Sequence, residues 1–348
     1  MSVPPVAPPR PDEPEAIAPP PSRLRSSWEA VLTGSSTWIG LILVGLIVAF
    51  SLLSYDTFVS VSNARNIATD AAVLLVLAVG STFVIVTAGI DLSVGSVLVF
   101  SGVVAAKAME AVGGNGWGVI AIGLGVSVAT GIAWGVLNGV LIARARIPPL
   151  IVTLGTLGMA LGLALVITDG VDQRDVPTRL VDTIGTGRLF GEIPYLVLIA
   201  LAVALVCGVV LRSTRFGRYT YAIGSNHEAV RRAGVSVDRH LVKVYALAGG
   251  LAGLAGFLSL ARFATTTISG HSTDNLQAIA AVVIGGTSLF GGVGTILGTV
   301  FGVFIPAVLQ NGFVIVGVQP FWQQVAVGAV LIAAVFLDQL RRRSSAGH

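Results

Sequence analysis

Charge is what this sequence has little of. Only 11% of its 348 residues are charged and 54% are hydrophobic, against roughly 25% and 45–50% in an ordinary soluble domain. Seventeen acids (Asp and Glu) and 21 bases (Lys and Arg) are too few to cover a soluble globule of this length, whereas a surface facing lipid wants none. A mean hydropathy of +0.88 agrees, and the chain reads as an all-α polytopic membrane protein. Its net charge of +4 is no nucleic-acid footprint, because the bases stand in short clusters between apolar runs, where orienting loop charges stand.

Reactive residues are equally scarce. Cys207 is the single cysteine and sits in the apolar run 196–211, which excludes a disulfide framework and a thiolate metal site and leaves a small buried hydrophobe. The only lysines, Lys107 and Lys243, follow Ala106 and Val242, so no Gly-Lys-Ser/Thr phosphate loop exists. His227-Glu228 begins like a zinc-protease helix, but Arg231 stands where its second histidine belongs. No Gly-x-Ser-x-Gly elbow with triad partners is present. The chain is therefore read as non-catalytic, without metal or cofactor of its own. Carboxylates within the apolar runs are also rare, Asp91 being the candidate, so an ion-coupled carrier would have little to work with. The energy for transport is expected from another subunit.

Proline and glycine, by contrast, are patterned. Nine of the 15 prolines fall in the first 21 residues, so residues 1–30 are expected to be a disordered, Pro-rich cytoplasmic tail; no short apolar stretch and cleavage site make it a secretory signal. Residues 31–340 are expected to form the transmembrane domain. Apolar runs suggest about ten spans: 38–54, 68–88, 94–109, 117–142, 150–168, 194–211, 243–262, 276–290, 294–311 and 321–338. The short ones, 94–109 and 276–290, are flanked by Gly-rich turns and are expected to be buried by neighbours.

Basic residues orient these spans. Arg23 and Arg25, Arg144 and Arg146, the seven bases between Arg212 and Lys243, and Arg341 to Arg343 all fall on one side, which is then cytoplasmic together with both termini. Loop 169–193 lies on the other side, with five acids against three bases. Arg262 is the exception, placed outside at a membrane edge.

Gly131, Gly135 and Gly139 recur every four residues in the fourth span, and Gly294, Gly298 and Gly302 do so in the ninth, as small-residue stripes for close helix approach. An offset of five spans makes 2–5 and 7–10 two inverted repeats, an arrangement common in transporters; chance recurrence in a glycine-rich chain is the alternative. Gly89, Asp91, Ser93 and Gly95 form a tight turn between two spans, with Asp91 accepting hydrogen bonds from its own backbone or capping the next helix. A substrate-path or gating role for Asp91 is the alternative. Within the cytoplasmic loop 212–242, residues 225–234 have the parts of a short helix. Ser225 or Asn226 is the N-cap, Glu228 the first-turn acid, Arg231 and Arg232 the last-turn bases and Gly234 the stop, with Ala229, Val230 and Ala233 as an apolar face. Docking of a partner or contact with lipid head groups would both suit it.

Several segments together resemble the permease subunits of bacterial ATP-binding-cassette (ABC) sugar importers of the ribose, xylose and arabinose type. They are Thr87-Ala88-Gly89-Ile90-Asp91-Leu92-Ser93-Val94-Gly95-Ser96, residues 147–156 (IPPLIVTLGT), residues 214–226 (TRFGRYTYAIGSN), residues 278–289 (AIAAVVIGGTSL) and Gly291-Gly292-Val293-Gly294-Thr295. They span about residues 50–338 in the family's order, leaving the tail outside; Ala88 stands where many relatives have a second glycine.

The resemblance implies an ABC importer permease fold in the bacterial cell membrane, paired with a second permease copy as a homodimer. An ABC ATPase subunit holding ATP and Mg docks below and an extracytoplasmic sugar-binding protein above. It also implies that Ser225, Asn226, Glu228, Ala229, Arg231, Arg232 and Gly234 belong to a coupling helix that fits a groove in the ATPase. For the path of a neutral sugar, the polar residues Asn138, Thr153, Gln310, Asn311, Gln323 and Gln324 are the candidates, an interhelical hydrogen bond being the other role each would suit. An ion-coupled secondary carrier, or a nucleoside or branched-chain amino-acid permease of the same superfamily, are the other readings.

Overall fold

A computed structural model describes residues 35–271 and 273–319, with Trp322, Val325, Gly328, Ala329 and Phe336 beyond them. The proline-rich tail, the tenth span 321–338 with Gln323 and Gln324, and Arg341 to Arg343 thus lie outside the continuously described residues. Among the described residues, the helices of six residues or more are α1 (Ser35–Leu53), α2 (Val61–Val86), α3 (Val94–Val112), α4 (Trp117–Ala143), α5 (Pro149–Thr168), α6 (Tyr195–Ser213), α7 (Arg215–Ser225), α8 (His227–Arg232), α9 (Val237–Phe263), α10 (Asp274–Ile284) and α11 (Ile296–Ile315). Seven of them, α2 to α6, α9 and α11, are long and apolar enough to cross a membrane, while α1 and α10 contribute shorter apolar stretches. The loop between α5 and α6 holds a two-stranded hairpin, β1 (Arg188–Leu189) with β2 (Ile193–Pro194).

α2 and α9 form the buried centre, and they run antiparallel. The Asp70 carboxylate near the start of α2 accepts from Arg262 at the end of α9, at 2.7 Å. At the opposite end, Gly89, just past α2, lies against Tyr245 in the first turns of α9. Around this pair the contacts repeat when α2–α4 are exchanged for α9–α11. α3 packs on α9 as α10 packs on α2; α4 packs on α9 as α11 packs on α2. One hydroxyl bond ties each outer pair, Ser127 Oγ to the Gly253 carbonyl at 2.7 Å and Thr82 Oγ1 with Thr299 Oγ1 at 2.8 Å. Such antiparallel exchange is the inverted repeat.

The glycines make the close approach possible. A methyl group at Gly131 or Gly135 would run into the carbonyl of Gly249 or of Tyr245, and one at Gly139 would lie 2.7 Å from the Val242 Cα. Gly298 and Gly302 meet the carbonyls of Gly285 and Ala281 on α10 in the same way. Gly294 departs from the stripe expected of it: it precedes α11 in the loop and faces Thr287.

Two spans begin well before hydropathy suggests, α2 at Val61 and α9 at Val237. α2 starts seven residues before the apolar run at 68, because Ser60 Oγ accepts from the Asn63 N–H at 3.1 Å and caps it. Its polar first turns meet tertiary partners: Asn63 pairs with Asn311, Arg65 with Glu192 and Asp70 with Arg262. Asp91 is therefore joined by Asp70 as an acid associated with the spans, and Arg262, an exception by sequence, has its counter-ion there. The eighth span shortens to α10, ended by the turn Gly285-Gly286, where Gly286 takes φ +84°.

Candidate functional site

The short helix in the basic loop is α8. Asn226, in extended backbone at φ −159°, caps it by accepting from the Ala229 N–H at 2.9 Å, while Ser225 ends the preceding helix α7. Glu228 lies in the first turn and Arg231 and Arg232 in the last, each placed favourably for the helix dipole. Gly234 stops it at φ +80°, a left-handed conformation that suits glycine. The ion pairs Arg232–Glu228 at 3.3 Å and Arg231–Asp238 at 3.6 Å are exposed and contribute little stability. Only Val230 is half-buried, against the cluster of Ala143, Ile223, Val237 and Leu241; Ser225, Asn226, Glu228, Ala229, Arg231, Arg232, Ala233 and Gly234 are all exposed. The expected apolar face is therefore split, with Val230 turned inward and both alanines outward.

α7, read from sequence only as part of the loop, connects α8 to the membrane helices. The Tyr221 hydroxyl donates to the Gly294 carbonyl at 2.6 Å, and burial pushes its pKa above the ordinary phenol value, so it stays a donor. Gly224 sits against the Val86 carbonyl so closely that a methyl group has no room. The same carbonyl accepts the Gly292 N–H at 2.9 Å. The end of α2, the end of α7 and the loop before α11 thus meet at one point.

Beyond Val86 lies the turn picked out by sequence. Ala88 takes φ +63°, a left-handed conformation that glycine adopts more easily, which explains what the departure from the family's glycine means locally. Asp91 Oδ1 accepts from the Ser93 N–H at 2.9 Å and the Ser93 Oγ at 2.6 Å. Of the two structural roles expected for it, the local backbone bond is the one formed. Burial pushes its carboxyl above the usual range, while the Ser93 bonds pull the other way.

Two path candidates stitch this turn to its neighbours. Asn138 Nδ2 on α4 donates to Ser93 Oγ at 2.9 Å; Thr153 Oγ1 on α5 donates to the Pro149 carbonyl at 2.9 Å and lies 3.5 Å from that of Ile90. A methyl group on Gly95 would crowd the Asn275 backbone N of α10 at 3.3 Å, and the Asn275 Nδ2 donates to the Leu92 carbonyl at 3.0 Å. Asn138, Thr153, Gly89, Asp91, Ser93 and Gly95 therefore form one assembly.

Tyr245, missed by the sequence reading, belongs with them: a methyl group on Gly89 would lie 2.7 Å from its hydroxyl. That hydroxyl and Asn138 Oδ1 are buried without a partner, which makes this corner polar and costly to keep closed. A cavity of about 480 Å³ runs from His227 and Arg231 to Gly89 and Tyr245.

Gln310 and Asn311 lie elsewhere, at the end of the bundle facing away from α8. They line a separate cavity of about 610 Å³ with Asp70 and Arg262. The useful sequence signal for that region was the misplaced Arg262. Among the described residues, no three His, Cys, Asp or Glu side chains gather to hold a metal. Cys207 is buried and free.

Comparison with known proteins places this geometry. Residues 63–335 match the family described as branched-chain amino acid transport system / permease component. The ribose import permease protein of Escherichia coli strain K12 is 37% identical over 305 residues, covering 86% of this chain and 93% of that one. The ribose import permease protein of Bacillus subtilis strain 168 is 38% identical over 317 residues, 90% of this chain and 95% of that one. The fructose import permease protein of Rhizobium meliloti is 34% identical over 312 residues, 88% and 86% of the two chains. No solved structure matches the chain significantly.

Proposed function

Because the chain belongs to the branched-chain amino acid transport system / permease component family, we propose that it is the membrane-spanning subunit of an ABC importer that delivers a monosaccharide to the cytoplasm. It is a multi-pass permease of the bacterial inner membrane, and its long-range relatives are named for ribose and fructose. Those names favour a sugar over the branched-chain amino acids of the family's description. ATP and Mg are held by a separate ATPase subunit, sugar arrives on an extracytoplasmic binding protein, and a second copy of the permease completes the pathway. The clusters of basic residues in the sequence support a cytoplasmic side for α8 and both termini.

The observation that carries this reading is the seat of α8. Its outer face is free for a partner, and α7 beneath it rests on the Val86 carbonyl without a flexible segment between them. Movement of α8 when the ATPase subunits close then reaches the turn at Asp91, Asn138 and Tyr245, which closes the inner end of the pathway. Polar, uncharged side chains suit transient contacts with sugar hydroxyls.

The test is to replace Glu228 and Arg231 with Ala in the reconstituted importer and to follow sugar-stimulated ATP hydrolysis and uptake. Loss of both, with the permease still in the membrane, supports the assignment; wild-type coupling removes it. Uptake by the permease alone under an ion gradient would replace the ABC reading with a secondary carrier.

A further inference from the structure

The end of α6 and the start of α7 concentrate positive charge with no acid beside it. Arg212 lies in the last turn of α6, Arg215 and Arg218 open α7, and all three are exposed. No acid occurs in the sequence from Tyr195 to His227, and among the described residues no carboxylate pairs with any of the three. Arg231 and Arg232 of α8, by contrast, pair with Asp238 and Glu228. An unpaired guanidinium keeps its planar fork of donors for a ligand, and phosphate oxygens fit that fork.

Two placements indicate the partner. Leu205, Val209 and Arg212 follow at i, i+4 and i+7 on α6 and so share one face, and both apolar residues are exposed. The cation thus ends an apolar outer strip, where a long side chain can lie along hydrocarbon and hold its charge among head groups. α7 divides in the same way. Gly217, Thr220 and Ile223 are buried, and the Thr220 hydroxyl meets His240 Nε2 of α9 at 2.9 Å. Arg215, Arg218 and Tyr219, at i, i+3 and i+4, are exposed on the other side, and a tyrosine suits the boundary between membrane and water. A second copy of the chain with its two-fold axis at this face would set arginine against arginine, which like charges oppose.

We infer that Arg212, Arg215, Arg218 and Tyr219 form a docking surface for the head groups of anionic phospholipids, with the guanidinium groups donating to phosphate oxygens. Bound lipid then holds α7 at the membrane surface from outside, as Tyr221 and Gly224 hold it from inside. The inference rests on the placement of the permease in the bacterial inner membrane and is independent of the substrate carried. It differs from the orienting effect of basic loops in general, because it singles out three arginines and leaves the two on α8 aside.

The test uses the full-length permease in neutral detergent, titrated with phosphatidylglycerol or phosphatidylcholine, with bound lipid counted by native mass spectrometry. A cation near an anionic surface contributes about fivefold to binding, so the wild-type chain is expected to retain phosphatidylglycerol about tenfold or more over phosphatidylcholine, and less so at high salt. The triple variant Arg212→Gln, Arg215→Gln, Arg218→Gln should lower that preference to about twofold or less. Arg231→Gln with Arg232→Gln removes two charges from the same loop and should leave it within about twofold of wild type. A wild-type chain without the preference, or a triple variant that keeps it, overturns the lipid surface. So does an equal loss in the α8 variant, which would reduce the effect to the net charge of the loop. A triple variant that keeps the preference but loses sugar-stimulated ATP hydrolysis in the reconstituted complex assigns the arginines to an acidic face of the ATPase subunit instead. Arg215→Gln with Arg218→Gln, both outside the membrane helices, keeps the test valid if the triple variant does not reach the membrane. The lipid titration involves no transport, so its failure leaves the importer reading standing.

Discussion

α4 and α5 are neighbouring helices with similar glycine series, and the structure uses them differently. Gly131, Gly135 and Gly139 of α4 are pressed onto the backbone of α9, while Gly155, Gly158 and Gly162 of α5 have nothing within 4 Å of where a methyl group would stand. α5 turns Leu150, Ile151, Leu154, Met159 and Val166 outward, and α6 does the same with Leu205, Val206 and Val209. The inner pair α2 and α9 is the buried frame; α5 and α6 are an outer layer with apolar side chains left exposed. Glycine in a span is thus a packing device only where another backbone meets it.

The largest effect should come from Gly135→Val. Its side chain would collide with the Tyr245 carbonyl, a backbone atom that cannot turn aside, and the expected cost is about 3 kcal/mol or more. Little monodisperse permease should survive size-exclusion chromatography in detergent, and a normal yield would break the contrast between α4 and α5.

An intermediate effect is expected of Gly224→Ala, where the packed glycine lies outside the membrane helices. Here α7 would be lifted from the Val86 carbonyl while the spans stay folded. Sugar-stimulated ATP hydrolysis in the reconstituted complex should fall on the order of tenfold, about 1.4 kcal/mol, with thermal stability nearly unchanged. Full coupling would show that the α7 seat transmits nothing.

Gly158→Ala should have the smallest effect. With open space around it, the change should stay within about 0.5 kcal/mol in a thermal melt. A marked loss of stability in the assembled importer, but not in the isolated permease, would sharpen the comparison by showing that α5 packs against another subunit.

Much of this was legible in the sequence because the signals are local. Apolar runs located the spans, and Asn226, Glu228, Arg231, Arg232 and Gly234 marked a helix through caps and dipole, which act within a turn or two. The start of α2 was not legible, because Asn63 and Arg65 look like loop residues until their distant partners are known. α7 was missed for a related reason: Tyr221 and Gly224 make sense only against Gly294 and Val86. The path candidates divided for the same cause, Asn138 and Thr153 joining the Asp91 turn and Gln310 and Asn311 the cavity at the other end.

The sequence by itself determined that this is a multi-span membrane protein with little charge to spare, with a capped helix in a basic loop and a tight turn at Asp91. These follow from hydropathy, charge and short-range hydrogen bonding, which are properties of neighbouring residues. Only the tertiary structure decided which glycines carry helix contacts, that α7 rests on the end of α2, and that Asp70 meets Arg262 across 192 residues of chain. Those depend on how antiparallel repeats pack, and packing brings together groups whose separation in sequence carries no local signal.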